Sequence, residues 1–317
     1  MPDFYNEDCI TGAQKIEDDS VDLIICDPPF GISETSFDKH YKRENNAIEG
    51  YVEAPSDYQK FSNEWIAQAK RILKPNGTFY IVSGWTHLRE ILNSIDRLDL
   101  TTHNHIIWKY NFGVSTTKKF VSSHFHILRL SKGNNLTFNT HCRFGPQEKS
   151  SEGKSLLYAD LEDVFVINKE YMPGKIKNQN KLPIELIDKL ILYSSNENDL
   201  VCDFFLGNFT TAYSAIGLGR KATGFEINKE VFNIHSNNIQ NNKKQLIKAK
   251  LNNLKTVTID KPKNQGKPIT TTELLAIKIK HDEHIKKHYT KKKSIEILMS
   301  EYGRGKFSII NILKKNH

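Results

Sequence analysis

The sequence predicts an α/β fold built on a parallel sheet, with a small helical appendage at its C-terminal end. Three observations carry this expectation. Val21 to Cys26 is a short β-branched run with no polar face, as a strand buried on both sides requires. Such runs alternate with segments whose apolar residues recur at helical spacing. The charge is also divided: residues 241–317 hold 19 basic against 6 acidic side chains, a net +13, whereas residues 1–240 carry −5.

Each element follows from local chemistry. Val21-Asp22-Leu23-Ile24-Ile25-Cys26 is a parallel strand that must stop at Asp27-Pro28-Pro29, because two prolines withhold backbone donors and forbid continuation. Tyr58, Phe61, Trp65, Ile66, Ala69 and Leu73 mark a helix capped by Asp57 and ended by Lys74-Pro75-Asn76-Gly77. A strand over Thr78–Val82, a helix over Leu88–Leu98 and a strand over His105–Trp108 follow. The alternation from His124 to Leu130 predicts an antiparallel strand at the sheet edge. Residues 132–181 are rich in Gly, Asn, Ser and Lys with little periodicity, and read as an insertion that serves recognition. Order returns with a helix over Pro183–Tyr193, a strand over Leu200–Asp203, a helix over Thr210–Leu218, a strand over Lys221–Glu226 and a helix over Lys229–Ile239.

The polar run from Asp260 to Pro268 reads as a linker, followed by helices near 271–287, 291–302 and 306–315. Their apolar stripes, Leu274, Leu275 and Ile277, then Ile295, Ile297 and Leu298, then Ile309, Ile310 and Leu313, predict a small core. Gly303-Arg304-Gly305 makes a turn loosely like that of a helix-turn-helix, with Lys291–Lys293 and Arg304–Lys306 expected to face phosphates. The concentrated positive charge points to a polyanion, nucleic acid, as partner. His281, His284 and His288 share a helical face and read as a solvated or phosphate-facing basic surface, with no metal expected.

Composition excludes other classes. The chain has no run of 18 apolar residues, and Met1-Pro2-Asp3-Phe4 lacks the basic start of a secretory signal, so no membrane association and a cytoplasmic location are expected. The four cysteines form no CxxC pair, and Cys26 and Cys202 read as buried strand residues.

Two motifs carry chemistry. Asp27-Pro28-Pro29-Phe30-Gly31 stands at the carboxyl end of a strand, where parallel sheets place their sites. A carboxylate and a carbonyl fixed by a proline pair are two acceptors. They suit an exocyclic amine whose lone pair is delocalised into a ring and which must be drawn toward a tetrahedral shape before it attacks. Phe30 offers a flat face on which an extruded base stacks, and Lys109-Tyr110-Asn111-Phe112 offers a second aromatic contact. The other motif runs from Asp203 to Thr211 and on to Gly219–Glu226. A strand, a tight loop at Gly207 and a helix from Thr210 can cradle an adenosyl group, and the acid ending the next strand, Glu226, can bind ribose hydroxyls; taken alone, the segment equally reads as an ordinary βα turn.

In this order the segments resemble the β class of DNA amino-methyltransferases, whose fold is circularly permuted so that the catalytic motif precedes the cofactor loop. The likeness covers roughly residues 5–240. It includes Asn6-Glu7-Asp8-Cys9, the stretch Arg71–Thr78, Ile106-Ile107-Trp108-Lys109, and Asn180-Lys181-Leu182-Pro183, which stands where the family has a lysine-proline element opening a helix along the cofactor. The resemblance implies a Rossmann-like methyltransferase sheet and S-adenosylmethionine as methyl donor. It makes Asp27, Pro28, Pro29 and Phe30 catalytic, and Asp8, Lys181, Asp203, Phe205, Gly207, Thr210 and Glu226 cofactor contacts.

The same resemblance implies a site-specific enzyme acting on N6 of a flipped adenine in double-stranded DNA, since an aspartate opening this motif is typical of adenine enzymes. Methylation of cytosine N4 is the alternative. A cognate restriction endonuclease and a second copy of the chain are the candidate protein partners. The implied plan is a catalytic domain over 1–245 with a recognition insertion near 132–181, a linker over 246–268, and a basic helical DNA-binding appendage over 269–317. Three departures stand out: Phe204 replaces a usual proline, Phe209 a usual glycine, and Asn178-Gln179-Asn180 a His-Pro-Thr-like start. Phe209 puts a bulky residue where the backbone approaches the cofactor. It motivates an alternative of another class, a DNA-binding protein that keeps the fold without turnover.

Overall fold

Among the residues that the computed structural model describes (4–29, 54–111, 117, 120–134, 136–169, 181–239, 263–264 and 267–314), eight strands form one sheet in the order β1-β8-β7-β2-β3-β5-β4-β6. They are β1 (Phe4–Tyr5), β2 (Val21–Cys26), β3 (Leu73–Ser83), β4 (Thr101–Lys109), β5 (His124–Ser131), β6 (Val164–Val166), β7 (Leu200–Asp203) and β8 (Lys221–Phe225). β5 runs antiparallel to both its neighbours, β3 and β4, while every other pairing is parallel. The reversed strand is therefore interior and not at the edge, because β4 and β6 extend the sheet beyond it. β6 comes from the segment expected to be an aperiodic insertion.

The run Val21–Cys26 is apolar throughout because helices cover both faces. Leu23 and Ile25 pack with Leu186, Ile187 and Leu190 of the helix Ile184–Ser194 and Ala212, Ala215 and Ile216 of the helix Thr210–Gly217. Ile24, Cys26 and Cys202 pack with Trp65, Ile66, Ala69 and Ile72 of the helix Tyr58–Ile72 and Ile91 and Ile95 of the helix Leu88–Arg97. Asp57 caps the first of these, its Oδ1 accepting from the Lys60 amide at 2.9 Å. That helix stops at Ile72 and β3 begins at once, earlier than the expected Thr78. Its first residues lie along β2 through a register irregularity and the Lys74–Asp22 ion pair at 2.6 Å.

Three local features hold the site's frame. In β8, a Cβ on Gly224 would lie 2.2 Å from the Asp203 carbonyl oxygen, so only glycine lets β7 and β8 pair there. β1 closes the far edge on β8: Phe4 and Tyr5 face Gly224 and Phe225, and the Glu226 amide donates to the Tyr5 carbonyl at 3.0 Å. The described part of the 132–181 segment is also tied down. The Tyr193 hydroxyl donates to Asp160 Oδ2 at 2.6 Å, and Arg143 and Lys189 hold the same carboxylate at 3.2 and 3.3 Å.

The chain divides into two compact units, Met1–Val257 and Thr258–His317. The second contains helices Thr271–Lys286, Lys291–Tyr302 and Lys306–Lys314 around Ile277, Ile295, Leu298, Ile309 and Ile312. Leu275, expected in this core, is exposed, and Ile312 joins the core although its stripe was not expected to include it. Arg304 does not face phosphates. It is buried, bonded to both Glu273 oxygens at 2.9 and 2.8 Å and to the carbonyls of Asn264, Lys267 and Pro268. His281 and His284 turn inward to share the Ser294 hydroxyl at 2.8 and 3.0 Å, so they are not a solvated face; His288 is exposed. Most of the expected linker over 246–268 lies outside the described residues.

Candidate active site

Four neighbouring parallel strands, β1, β8, β7 and β2, each lead into an acidic residue at the carboxyl end: Asp8, Glu226, Asp203 and Asp27. The chain leaves β2 toward β3 on one side, while β7 lies on the other and continues to β8. The crevice between β2 and β7 is the topological switch point where open α/β sheets bind ligands.

Three of these carboxylates organise their own loops. Asp8 Oδ1 accepts from the amides of Ile10 and Thr11 at 2.9 and 3.2 Å and caps the short helix Cys9–Gly12. Asp203 Oδ1 accepts from the Phe205 amide at 2.9 Å. Glu226 Oε2 accepts from the Gly207 amide and Oε1 from the Asn228 amide, both at 2.7 Å. Burial raises Asp203 to about 6 and the charge of Glu226 adds to the rise, against the pull of the Thr211 hydroxyl and the Phe205 amide. Burial likewise raises Glu226 against its amide donors.

Asp27 differs. Its Oδ1 is buried with no hydrogen-bond partner among the described residues. Burial pushes its carboxyl well above the usual range, Asp203 pushes it further, and Lys169 draws it down. It lines a pocket with Val82, Trp108, Phe125, Lys169, Lys181 and Leu182. The Trp108 indole, fixed by donating to the Ile167 carbonyl at 2.8 Å, stacks on Phe125 at 5.4 Å, and Tyr110 closes the cluster at 5.6 and 5.5 Å from these two rings. Of the expected aromatic segment, Tyr110 packs behind the lining rings Trp108 and Phe125, and Phe112 lies outside the described residues. Pro28 is buried and Pro29 half-buried, while Phe30 and Gly31 lie outside. Lys169 is not evident from sequence, because it ends an aperiodic stretch whose one signal is the short apolar run Val164–Ile167.

The Phe209 departure has a structural answer. Its backbone sits at φ 58°, ψ 24°, the left-handed region that favours glycine. Its ring turns away into the core, 5.3 Å from Phe4, 6.0 Å from Phe232 and 5.5 Å from His235. The loop keeps a glycine-like path, with Gly207 also at positive φ and Thr210 opening the helix behind it. Phe204 fills the opposite core against Trp65 and Phe225, and Phe205 is half-buried, edge-on to Trp65 at 5.3 Å.

An acid row over a tight loop, a carboxylate with an unused acceptor and an aromatic-walled pocket fit a cationic adenosyl donor beside a flat amine. Fold and site together define a Rossmann-like methyltransferase of permuted motif order. The chain belongs to the DNA methylase family, the N6 and N4 amino-methyltransferases, whose profile matches residues 21–238; the family takes its methyl group from S-adenosylmethionine. The chain is 29% identical over 225 residues to the type II methyltransferase M.HpaI of Haemophilus parainfluenzae, covering 70% of this chain and 68% of that one. It is 30% identical over 241 residues to the DNA adenine methyltransferase YhdJ of Escherichia coli K12, covering 70% and 77%. The fold is shared with PvuII DNA methyltransferase, a cytosine-N4-specific enzyme, at a TM-score of 0.55 and 17% identity over 79% of this chain and 92% of that one. Among the described residues no helix is long and apolar enough to cross a membrane.

Proposed function

We propose that this protein transfers a methyl group from S-adenosylmethionine to N6 of an adenine flipped out of double-stranded DNA. The observation that carries the reading is the orphaned, buried Oδ1 of Asp27 in an aromatic-walled pocket at the switch point. An unpaired buried acceptor is costly, and a ligand donor is what removes the cost. Asp27 accepts one N–H of the amine and the Pro28 carbonyl the other, holding the nitrogen's lone pair out of the ring plane. Trp108, Tyr110 and Phe125 exclude water and orient the base. The donor supplies an electrophilic methyl when bound. Asp203 and Glu226 face its positive and ribose portions, and Gly207, Phe205, Thr210, Asp8 and Lys181 complete its surroundings. As the amine gives up a proton, Asp27 is the adjacent acceptor.

Adenine is favoured by the aspartate that opens the motif and by the likeness to YhdJ. Nucleoside analysis of DNA from cells expressing the protein should show N6-methyladenine. N4-methylcytosine alone would overturn the base and spare the mechanism. The inward ring of Phe209 supports a working cofactor loop over the degenerate alternative. Failure to bind either S-adenosylmethionine or S-adenosylhomocysteine at millimolar concentration would restore that alternative.

The same proposal gives the C-terminal unit a role in binding phosphates through the exposed Lys291, Lys292, Lys293 and Lys306. The 132–181 segment helps read bases. Removing residues 269–317 should leave cofactor binding intact and reduce the salt slope of duplex binding by about 0.9 for each phosphate that is no longer neutralised. An unchanged slope assigns the unit to a protein partner or self-association.

A further inference from the structure

We propose that Lys169 is a positioning residue for Asp27: its ammonium, held against the faces of Tyr110 and Phe125 in the pocket that Asp27 lines, keeps this carboxylate ionised as the acceptor for the substrate amine. The last clause rests on the methyl-transfer reading above; the pairing of the two side chains does not.

The chemistry favours an ionised acid at this point. A protonated carboxyl keeps only its carbonyl oxygen as a weaker acceptor and cannot take up the proton that the amine gives up, so a neutral Asp27 prepares the amine less well. Its surroundings favour the neutral form, because Oδ1 is buried without a partner among the described residues and the acid whose charge bears on it, Asp203 at the end of β7, has the same sign.

Two cations line the pocket, Lys169 after β6 and Lys181 ahead of the helix Ile184–Ser194. The charge of Lys169 bears on Asp27, and that of Lys181 bears on His235.

The placement of Lys169 is built into the sheet. β6 pairs with β4 so that Phe165 faces Trp108 and Val166 faces Lys109. The Ile167 amide then donates to the Lys109 carbonyl at 3.1 Å, and the Ile167 carbonyl receives the Trp108 indole. Two residues on, Lys169 Nζ stands 4.3 Å from the Tyr110 ring centre and 4.8 Å from that of Phe125. Ring faces attract an ammonium and leave an amine nearly indifferent, so the cage selects the charged lysine. Burial weakens that charge, and Asp27 opposes the effect in part. Each partner therefore supports the ionised state of the other.

The experiment compares wild type, Lys169→Met and Lys169→Arg, with Lys169→Gln in place of the methionine variant should that one fail to fold. Asp27 protonation is followed directly by the infrared band of its neutral carboxyl, assigned by its absence in Asp27→Asn. The rate of methyl transfer is followed against pH in parallel. Loss of the charge should raise the Asp27 midpoint by at least about one pH unit, a tenfold change in its ionisation. The acid limb of the rate should move by the same amount, and Lys169→Arg should return both toward wild type. An unchanged midpoint in the methionine or glutamine variant overturns the pairing. A wild type that methylates no DNA overturns the functional reading instead, and the infrared arm still decides the pairing.

Discussion

The carboxylates on either side of the switch point are used differently. Glu226 and Asp203 already hold the amides of Gly207, Asn228 and Phe205, so the cofactor loop is shaped by its own acids. Asp27 leaves a buried oxygen with no partner among the described residues. One side is organised in advance, which reduces the ordering entropy that binding must overcome. The other keeps an unsatisfied acceptor, which the proposed reaction assigns to the substrate amine. The contrast separates stability from turnover: one set of acids supports the fold, and the other is tolerated by it.

The largest expected effect breaks the contrast at Asp27. Asp27→Ala should lower turnover at least about 100-fold while changing the melting temperature little, since it removes an oxygen with no hydrogen-bond partner among the described residues but also the charge that faces Lys169. Glu226→Ala should instead lower the melting temperature and abolish its rise with S-adenosylmethionine. Thermal shift with single-turnover kinetics checks both, and turnover of Asp27→Ala within a few-fold of wild type removes that residue from the mechanism.

Phe209→Gly sharpens the organised side. Losing a buried ring costs about 3–5 kcal/mol, and relief of the left-handed backbone returns about 1–2 kcal/mol. Urea titration should show a net loss of about 1–4 kcal/mol. A variant that gains stability would mean that the ring adds nothing to the core.

The smallest effect is a pH dependence. Asp203 is raised to about 6 from an ordinary 3.8, so it is mostly protonated below pH 6 and ionised above. A cationic donor prefers the ionised form. Its affinity should hold above pH 6 and fall toward tenfold per unit as pH drops below. For the free protein the sign is opposite: a raised folded pKa gives stability at low pH that is lost as pH rises from about 4 to 6. Calorimetric titration across about pH 5 to 8 reads the first effect, and flat affinity would show that Asp203 does not face the charge.

Much of this is legible in the chain itself. The run Val21–Cys26 and its proline stop place Asp27 at a strand end, and the order of the two motifs gives the permuted sheet. The parts that are not legible share a physical reason: they depend on contacts between distant segments. The short apolar run Val164–Ile167 hints at a strand in Lys132–Lys169 but not that it will pair with β4, and so it does not place Lys169. Arg304 looks like a phosphate ligand because its sequence neighbours are basic, but Glu273 and three carbonyls claim it across the helical unit. Phe209 looks like an obstruction because a one-dimensional motif records which residue stands in the loop and not where its side chain goes.

The pairing of β1 with β8 has a kinetic meaning. Phe4 and Gly224, neighbours in the sheet, are separated by nearly the whole of the first unit. β1 therefore waits for β8, far along the chain, before its edge can close, and long-range closure of this kind is slow. In refolding with pulsed hydrogen exchange, the Glu226 amide, which bonds to the Tyr5 carbonyl, should gain protection after the amides of the β2–β3 pair. Simultaneous protection would show that the sheet assembles in one step. If closure comes late, the loop at Gly207, held by Glu226, gains its full support only when these two distant strands meet.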